Sequence, residues 1–309
     1  MEIIKFIGLV ILGYILGSVS VARMITNHKN KGKDITTQGS GNPGTMNMLR
    51  TQGAILGFLT LFCDALKAAI PTLIGRFLLF PGSEKLALIA MYVGGLSAVL
   101  GHMFPLFYGF KGGKGIACTF GIFVVANPIL ALIIFVIDFV IFYFVKIGSV
   151  ASMIFIISFA LINTFISPVR TSYIAMIIMW FIVIIDVIAH KDNFIRLFAN
   201  EERLTSFKEG VQKDLERVKE KKKEKLTKLE NKEDELNILY EEKLAKSEEK
   251  INKKMTKKSL KMRKKREKLR KKYNNKINDI KTNSEETIIY MQERIDKKKQ
   301  KEEKAKDED

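Results

Sequence analysis

Cysteine is nearly missing. Cys63 and Cys118 are the only two in 309 residues, both inside apolar runs, with no Cys-x-x-Cys or Cys/His spacing. A zinc ribbon and a disulfide framework therefore have no support. Acidic residues are scarce over residues 1–190, with 6 Asp/Glu against 13 Lys/Arg, whereas residues 191–309 hold 27 and 38. The second half in turn lacks large apolar residues and helix breakers, and Gly210 is the only glycine from 204 onward. No Ser-His-Asp arrangement is legible, so nothing points to a triad nucleophile. The averaged composition of an ordinary soluble protein thus conceals two domains, an apolar one over 1–203 and a charged one over 204–309.

A helix that crosses a hydrocarbon core of ~30 Å needs about 20 mostly apolar residues. Such runs lie near 3–23, 54–80, 86–108, 116–127, 129–146, 149–166 and 172–189. Asn127-Pro128 splits one long run in two, because proline and the residue before it disfavour a continuing helix. The run 116–127 is short, so seven crossings are expected, with six the alternative. The fold class is all-α, a polytopic membrane protein with a long charged helical tail. Ser20-Val-Ala22 resembles a signal cleavage site, but the spans that follow favour a retained first helix. Basic connections stay cytoplasmic. Arg23, Lys29, Lys31, Lys33 and Arg50 flank the first connection, Lys111 and Lys114 lie in the third, Lys146 in the fifth, and Lys191 follows the last span. Every odd connection is the basic one, which predicts an external N-terminus and a cytoplasmic C-terminus.

The motif-bearing connections then share one side. Gly101-His-Met-Phe-Pro-Leu-Phe-Tyr-Gly-Phe-Lys-Gly-Gly-Lys-Gly115 combines permissive glycines with Lys111 and Lys114 and reads as a phosphate cradle. Gly39-Ser-Gly-Asn-Pro-Gly-Thr-Met-Asn-Met-Leu-Arg50 contains a GxGxxG match. A dinucleotide fold needs a strand before it, and here the neighbours are apolar spans. What remains is a glycine-rich turn with Ser40, Asn42 and Asn47 as hydrogen-bonding groups and Arg50 as an oxyanion partner. Asp64 and Lys67, three apart within a span, share a helix face and can neutralise each other. Asp138 and Asp186 have no partner nearby in sequence. His102 reads as a base, a substrate donor or a buried histidine bonded to a carbonyl. His190, followed by Asn193 and Arg196, and the hydroxyls Ser149 and Ser152 complete the set.

These motifs resemble the PlsY family, bacterial integral-membrane glycerol-3-phosphate acyltransferases that use acyl phosphate as donor. The resemblance covers residues 1–203. It rests on Gly17-Ser18, Ser40-Gly-Asn42, Asn47 with Arg50, Asp64-x-x-Lys67, Gly101-His-Met-x-Pro105, Phe110-Lys-Gly-Gly-Lys-Gly115, Ser149/Ser152 and His190-x-x-Asn193. It implies seven transmembrane helices in a bacterial plasma membrane, no cofactor or metal, and acyl transfer to the 1-hydroxyl of sn-glycerol 3-phosphate. It also implies phosphate binding by Ser40, Arg50, Lys114, His190 and Asn193, with Asn42 and Ser152 at the site. The candidate catalytic residues are His102, Lys111, Lys114 and Asn42; Ser40, Asn47, Arg50, Ser149, Ser152, His190 and Asn193 are the candidate substrate ligands. Acyl phosphate is already activated, so substrate-assisted proton removal is favoured over His102. The His-x4-Asp signature of coenzyme-A-dependent acyltransferases is missing, since Lys33, Phe107 and Ile195 stand five residues beyond the three histidines. Three positions depart from the family pattern: Met46 for threonine, Ala68 for glycine, and Asn200 for glycine, with Glu202 retained. The rival readings are a weakened member serving as an anchor or scaffold through its tail, and an anion transporter built on Asp64 and Lys67.

In the tail, Phe207, Val218, Leu229, Tyr240, Ile251, Met262 and Tyr273 recur every 11 residues, and Val211, Leu244, Met255, Ile277 and Ile288 form a second, interrupted series. An 11-residue repeat suits a straight or slightly right-handed helical assembly, so a long helix is expected rather than disorder, with self-association one option for it. Residues 250–272 hold 14 Lys/Arg against Glu267. A solvated face is the first reading of that run, anionic lipid the second, and nucleic acid the last, because no base-reading motif accompanies it.

Overall fold

Every predicted apolar run folds as helix in a computed structural model that describes residues 1–29, 34–253 and 257–304. In chain order the helices are α1 (Glu2–Ser18), α2 (Val21–Lys29), α3 (Thr45–Gln52), α4 (Ala54–Leu73), α5 (Glu84–Met103), α6 (Ile116–Ala126), α7 (Pro128–Val145), α8 (Gly148–Ile166), α9 (Tyr173–Ala189), α10 (Lys191–Phe198), α11 (Phe207–Lys253) and α12 (Lys257–Lys304). No strand occurs among the described residues. The chain divides into two compact units, Met1–Asp214 and Leu215–Asp309.

In the first unit α1, α4, α5, α7 and α8 are long and apolar enough to cross a membrane, and α9 with α10, bent by 50° at His190, makes a sixth candidate. The run 116–127 is the exception to the expected seven crossings. α6 has 11 residues, about 16 Å of helix, roughly half the hydrocarbon thickness. Its first residues, Ile116 and Ala117, line a cavity within the first unit.

Close helix contacts use small residues, as expected where no hydrophobic difference between protein and lipid drives association. A Cβ at Gly17 on α1 would lie 2.2 Å from the Ala98 carbonyl oxygen of α5, and one at Gly121 on α6 would lie 2.0 Å from that of Ala65 on α4. The core lies between α5, α6, α8 and α9, where Tyr92, Ile122, Phe123, Phe159 and Met179 are fully buried. Phe123 stacks on Phe159 with centroids 3.9 Å apart. Ile129, Ile133, Val136 and Phe144 on α7 and Phe165 on α8 are exposed, a lipid-facing belt.

Within the second unit α11 and α12 run antiparallel. Lys219 Nζ donates to Gln292 (3.1 Å), Lys281 pairs with Glu230 (3.4 Å), and Arg270 pairs with Glu241 (3.9 Å). Each contact advances 11 residues along α11 and retreats 11 along α12, so the repeat is matched within one chain. Arg266 stacks over Tyr240 at 3.3 Å. The single long helix expected from the repeat is instead a pair. Met255, from the second series, lies outside the described residues.

Candidate active site

Three separate stretches supply the cationic groups, and α8 adds two hydroxyls. The first is the connection that ends in α3. Asp34 Oδ1 accepts the Thr36 N–H at 3.0 Å and starts a single helical turn over Ile35–Thr37. Asn47 then pins the following turn: Oδ1 accepts the Ser40 N–H at 2.9 Å, and Nδ2 donates to the Gln38 carbonyl at 3.0 Å. Asn47 is buried and lines the cavity, but its amide is engaged in holding Ser40 and Asn42 in place. One turn further on, α3 delivers Arg50.

The second stretch is the α9–α10 corner. His190 Nδ1 donates to the Asp186 carbonyl at 2.8 Å, which fixes the ring and leaves Nε2 as its free nitrogen. α10 then presents Asn193 and Arg196. At its end Asn200 has φ +57°. Glycine favours that left-handed region, and asparagine tolerates it better than most residues. The departure at 200 therefore preserves the turn that sends Glu202 back toward the bundle.

The Glu202 carboxylate gathers the site. Oε1 accepts from Asn193 Nδ2 (2.6 Å) and Ser149 Oγ (3.1 Å), and Oε2 accepts from Arg196 Nε (3.0 Å). Lys114, from the third stretch, donates to Asn193 Oδ1. Burial would raise the Glu202 pKa, but the bonds from Asn193, Ser149 and Arg196 together hold it below its ordinary value. Burial, aided by Arg196, lowers that of Lys114. Burial, aided by Arg203, lowers that of Arg50. These cations are crowded and partly desolvated, a setting that an added phosphate would relieve.

The cavity measures about 310 Å³. Ser40, Asn42, Arg50, Lys114, His190 and Asn193 line one part, and Phe58, Phe120, Phe135, Phe139, Phe142 and Phe155 line another. A polar end joined to an aromatic end suits a ligand with a charged head and an apolar tail. Met46 also lines it and fills space above Gly148, where a Cβ would lie 2.3 Å from its terminal methyl. Ser149 and Ser152 line the cavity too, Ser152 Oγ donating to the Gly148 carbonyl at 2.7 Å. Among the described residues no group of three His, Cys, Asp or Glu could hold a metal ion.

Asp64, Lys67 and His102 form a buried cluster behind this wall. Lys67 Nζ donates to His102 Nδ1 (3.0 Å) and the Val19 carbonyl (2.7 Å) and forms an ion pair with Asp64 Oδ1 at 2.8 Å. An ammonium has protons to give and no lone pair to accept with. Because His102 Nδ1 accepts, its proton is on Nε2, and in this state the ring is a donor rather than a base. Asp64 and His102 touch the cavity, and Lys67 braces them from behind.

The glycine-rich connection works differently from the cradle its composition suggests. Gly112 and Gly113 donate to the carbonyls of Met103 (3.0 Å) and His102 (3.1 Å), which occupies the amides expected to hold phosphate. A Cβ on Gly113 would stand 2.1 Å from His102 Nε2, so these glycines let the loop fold back on α5. Lys114 reaches the cavity, but Lys111 does not. Lys111 lines a separate depression with Arg23, Thr36, Gly41, Pro43, Tyr108 and Gly112.

Glu202 and the aromatic wall were absent from the candidate ligands expected from sequence, and Arg196 was named there only as a neighbour of His190. Glu202 carries a signal in hindsight, as an acid following the α10 cations, whereas the phenylalanines resemble any lipid-facing residue. Asp186 lies behind the site: Thr119 Oγ1 donates to its Oδ2 at 2.6 Å.

Comparison with known proteins agrees with this architecture. Residues 7–200 match the family described as Glycerol-3-phosphate acyltransferase. The glycerol-3-phosphate acyltransferase of Aquifex aeolicus is 37% identical over 200 residues, 64% of this chain and 98% of that protein. Its counterpart in Desulfotalea psychrophila is 35% identical over 196 residues, 62% and 94% of the two chains. The crystal structure of PlsY (YgiH), an integral membrane glycerol 3-phosphate acyltransferase, is similar in its glycerol 3-phosphate form, with TM-score 0.58, 32% identity and coverage of 66% of this chain and 98% of that one. Its lysophosphatidic acid form gives TM-score 0.57, 33% identity and coverage of 67% and 98%. With the match extending over most of its residues, and over nearly the whole of its relatives, the chain belongs to the glycerol-3-phosphate acyltransferase family.

Proposed function

We propose that this protein transfers a fatty acyl group from acyl phosphate to the 1-hydroxyl of sn-glycerol 3-phosphate, releasing lysophosphatidic acid and inorganic phosphate. The observation that carries the reading is the meeting of Arg50, Lys114 and His190, from three separate stretches, around a cavity with an aromatic end. The similarity to PlsY in forms named for glycerol 3-phosphate and lysophosphatidic acid supports the acceptor and the product.

In the proposed step, the glycerol O1 attacks the acyl carbonyl carbon, an ester C–O bond forms, and the acyl C–O bond to phosphate breaks with its electron pair leaving on phosphate. The hydroxyl proton passes to a phosphate oxygen. No enzyme nucleophile is required, because the mixed anhydride is already activated. Arg50 and Lys114 hold phosphate oxygens, and Ser40 and Asn42 add hydrogen bonds. Asn193, oriented by Glu202, fixes the Lys114 ammonium. His102, with its proton on Nε2, contributes a donor toward developing negative charge. Holding both substrates in reacting geometry supplies most of the acceleration.

The basic connections support placing this site and the tail on the cytoplasmic side of the bacterial plasma membrane. The test is turnover of labelled glycerol 3-phosphate by the purified full-length protein with each donor. Product with acyl phosphate and none with acyl-CoA is expected. Product with acyl-CoA alone overturns the donor assignment.

A further inference from the structure

The match to the family ends at residue 200, yet the chain contributes to the cavity beyond that point. Arg203 and Phe207 both line it. Arg50 Nη2 donates to the Arg203 carbonyl at 3.2 Å and to Thr205 Oγ1. Thr205 is itself buried, 1% exposed, and its N–H donates to the Lys146 carbonyl at 2.8 Å. The Arg50 guanidinium is thus gripped along one edge, while its buried Nε has no hydrogen-bond partner among the described residues.

Residues 206–214 continue over the α3–α4 junction. Phe207 meets Phe58 and Phe139 edge-on, with centroids 5.8 and 5.7 Å away. Gly210 permits the approach, since a Cβ there would lie 2.6 Å from Leu49 Cδ1. Asp214 Oδ2 accepts the Ile55 N–H at 2.8 Å, capping the start of α4. Thr205, Gly210 and Asp214 are buried at intervals along the segment and make specific contacts, which a mere linker would not need.

We infer that residues 203–214 are a strap that completes the substrate cavity, with Thr205 and the Arg203 carbonyl positioning Arg50 for the phosphate group and Phe207 closing the aromatic end against the acyl chain. The inference rests on the substrate reading proposed above. Thr205 acts through Arg50 and is a positioning residue. Phe207 sets how much room remains for the first part of the chain.

The test uses the full chain in detergent or vesicles, with binding of labelled glycerol 3-phosphate measured apart from turnover. Thr205→Val keeps the shape of the side chain and removes the acceptor; it is expected to weaken glycerol 3-phosphate binding and raise its KM about tenfold, the effect of one hydrogen bond to a charged group, with a smaller change in kcat. Thr205→Ser is expected to restore both. Phe207→Ala is expected to change the ratio of kcat/KM between short and long acyl donors by at least about threefold, as the loss of an apolar wall implies. If the unaltered chain binds glycerol 3-phosphate and both variants behave as it does while melting normally, the strap is refuted and the substrate reading stands. If the unaltered chain binds no glycerol 3-phosphate, both fail. A fall in melting temperature with unchanged binding and chain preference assigns the strap to stability alone and also overturns the inference.

Discussion

Removing the Glu202 carboxylate tests how the polar end is held. Its side chain is 6% exposed, and Arg196, one of its three donors, is 33% exposed. Hydrogen bonds to a charged group contribute about 1.5–3 kcal/mol each, and the partly solvated Arg196 pair is worth closer to 1 kcal/mol. Glu202→Ala releases Asn193 and Ser149, and Asn193 is also the acceptor for Lys114. If half or more of that free energy is expressed in the transition state, the loss is about 2–4 kcal/mol, or about 30- to 1000-fold in kcat/KM. Glu202→Gln keeps the shape, but turns an N–H toward either Arg196 or the Asn193/Ser149 pair; about tenfold loss is expected from one charge-assisted bond. The assay is turnover of labelled glycerol 3-phosphate at subsaturating concentration, with melting temperature as the control. A Glu202→Ala protein that melts normally and retains kcat/KM within threefold of wild type refutes the claim that this carboxylate organises the site.

Arg50→Ala and Lys114→Ala should each lower kcat/KM at least about tenfold while leaving the protein in the membrane, as expected for the loss of one charge-assisted contact; near-normal turnover in both removes the phosphate assignment. Burial lowers the Lys114 pKa from 10.5, so glycerol 3-phosphate affinity should weaken with rising pH before an exposed lysine titrates, and a pH series on Lys114→Ala should lack that limb. Lys67→Met breaks a buried pair whose side chains are 8% and 2% exposed; it should cost about 3–5 kcal/mol in thermal unfolding, and adding Asp64→Asn should recover part of it. At φ +57°, Asn200→Gly should be nearly neutral, whereas Asn200→Val should destabilise by about 1–2 kcal/mol and lower activity through Glu202.

Much of this was legible because the membrane enforces a coarse code. Apolar runs must be helical, and their Pro and Gly interruptions mark where they stop, so Asn127-Pro128 separated α6 from α7 as read. Opposite charges three residues apart inside an apolar run favour pairing, and Asp64 with Lys67 did so. The glycine-rich connection misled for a physical reason: glycine serves close backbone approach whatever it approaches, and here Gly113 approaches His102 rather than a ligand. Lys111 and Lys114 are three apart in sequence, but the glycines between them are bonded to the end of α5 and only Lys114 enters the cavity. Glu202 and Phe207 fell outside the expected residue set because they sit at and beyond the visible edge of the resemblance, where no motif marks a return to the site. The tail repeat gave the period but not the partner, since a series spaced by 11 residues matches a second chain or its own reverse equally well.

The most direct measurement is a structure of the full-length protein with glycerol 3-phosphate bound. The phosphate is expected within hydrogen-bond distance of Arg50 Nε and Lys114 Nζ, beside His190, with the glycerol 1-hydroxyl directed toward the aromatic end. A phosphate resting in the depression of Arg23 and Lys111, with Arg50 and Lys114 still bonded only to protein, would contradict this.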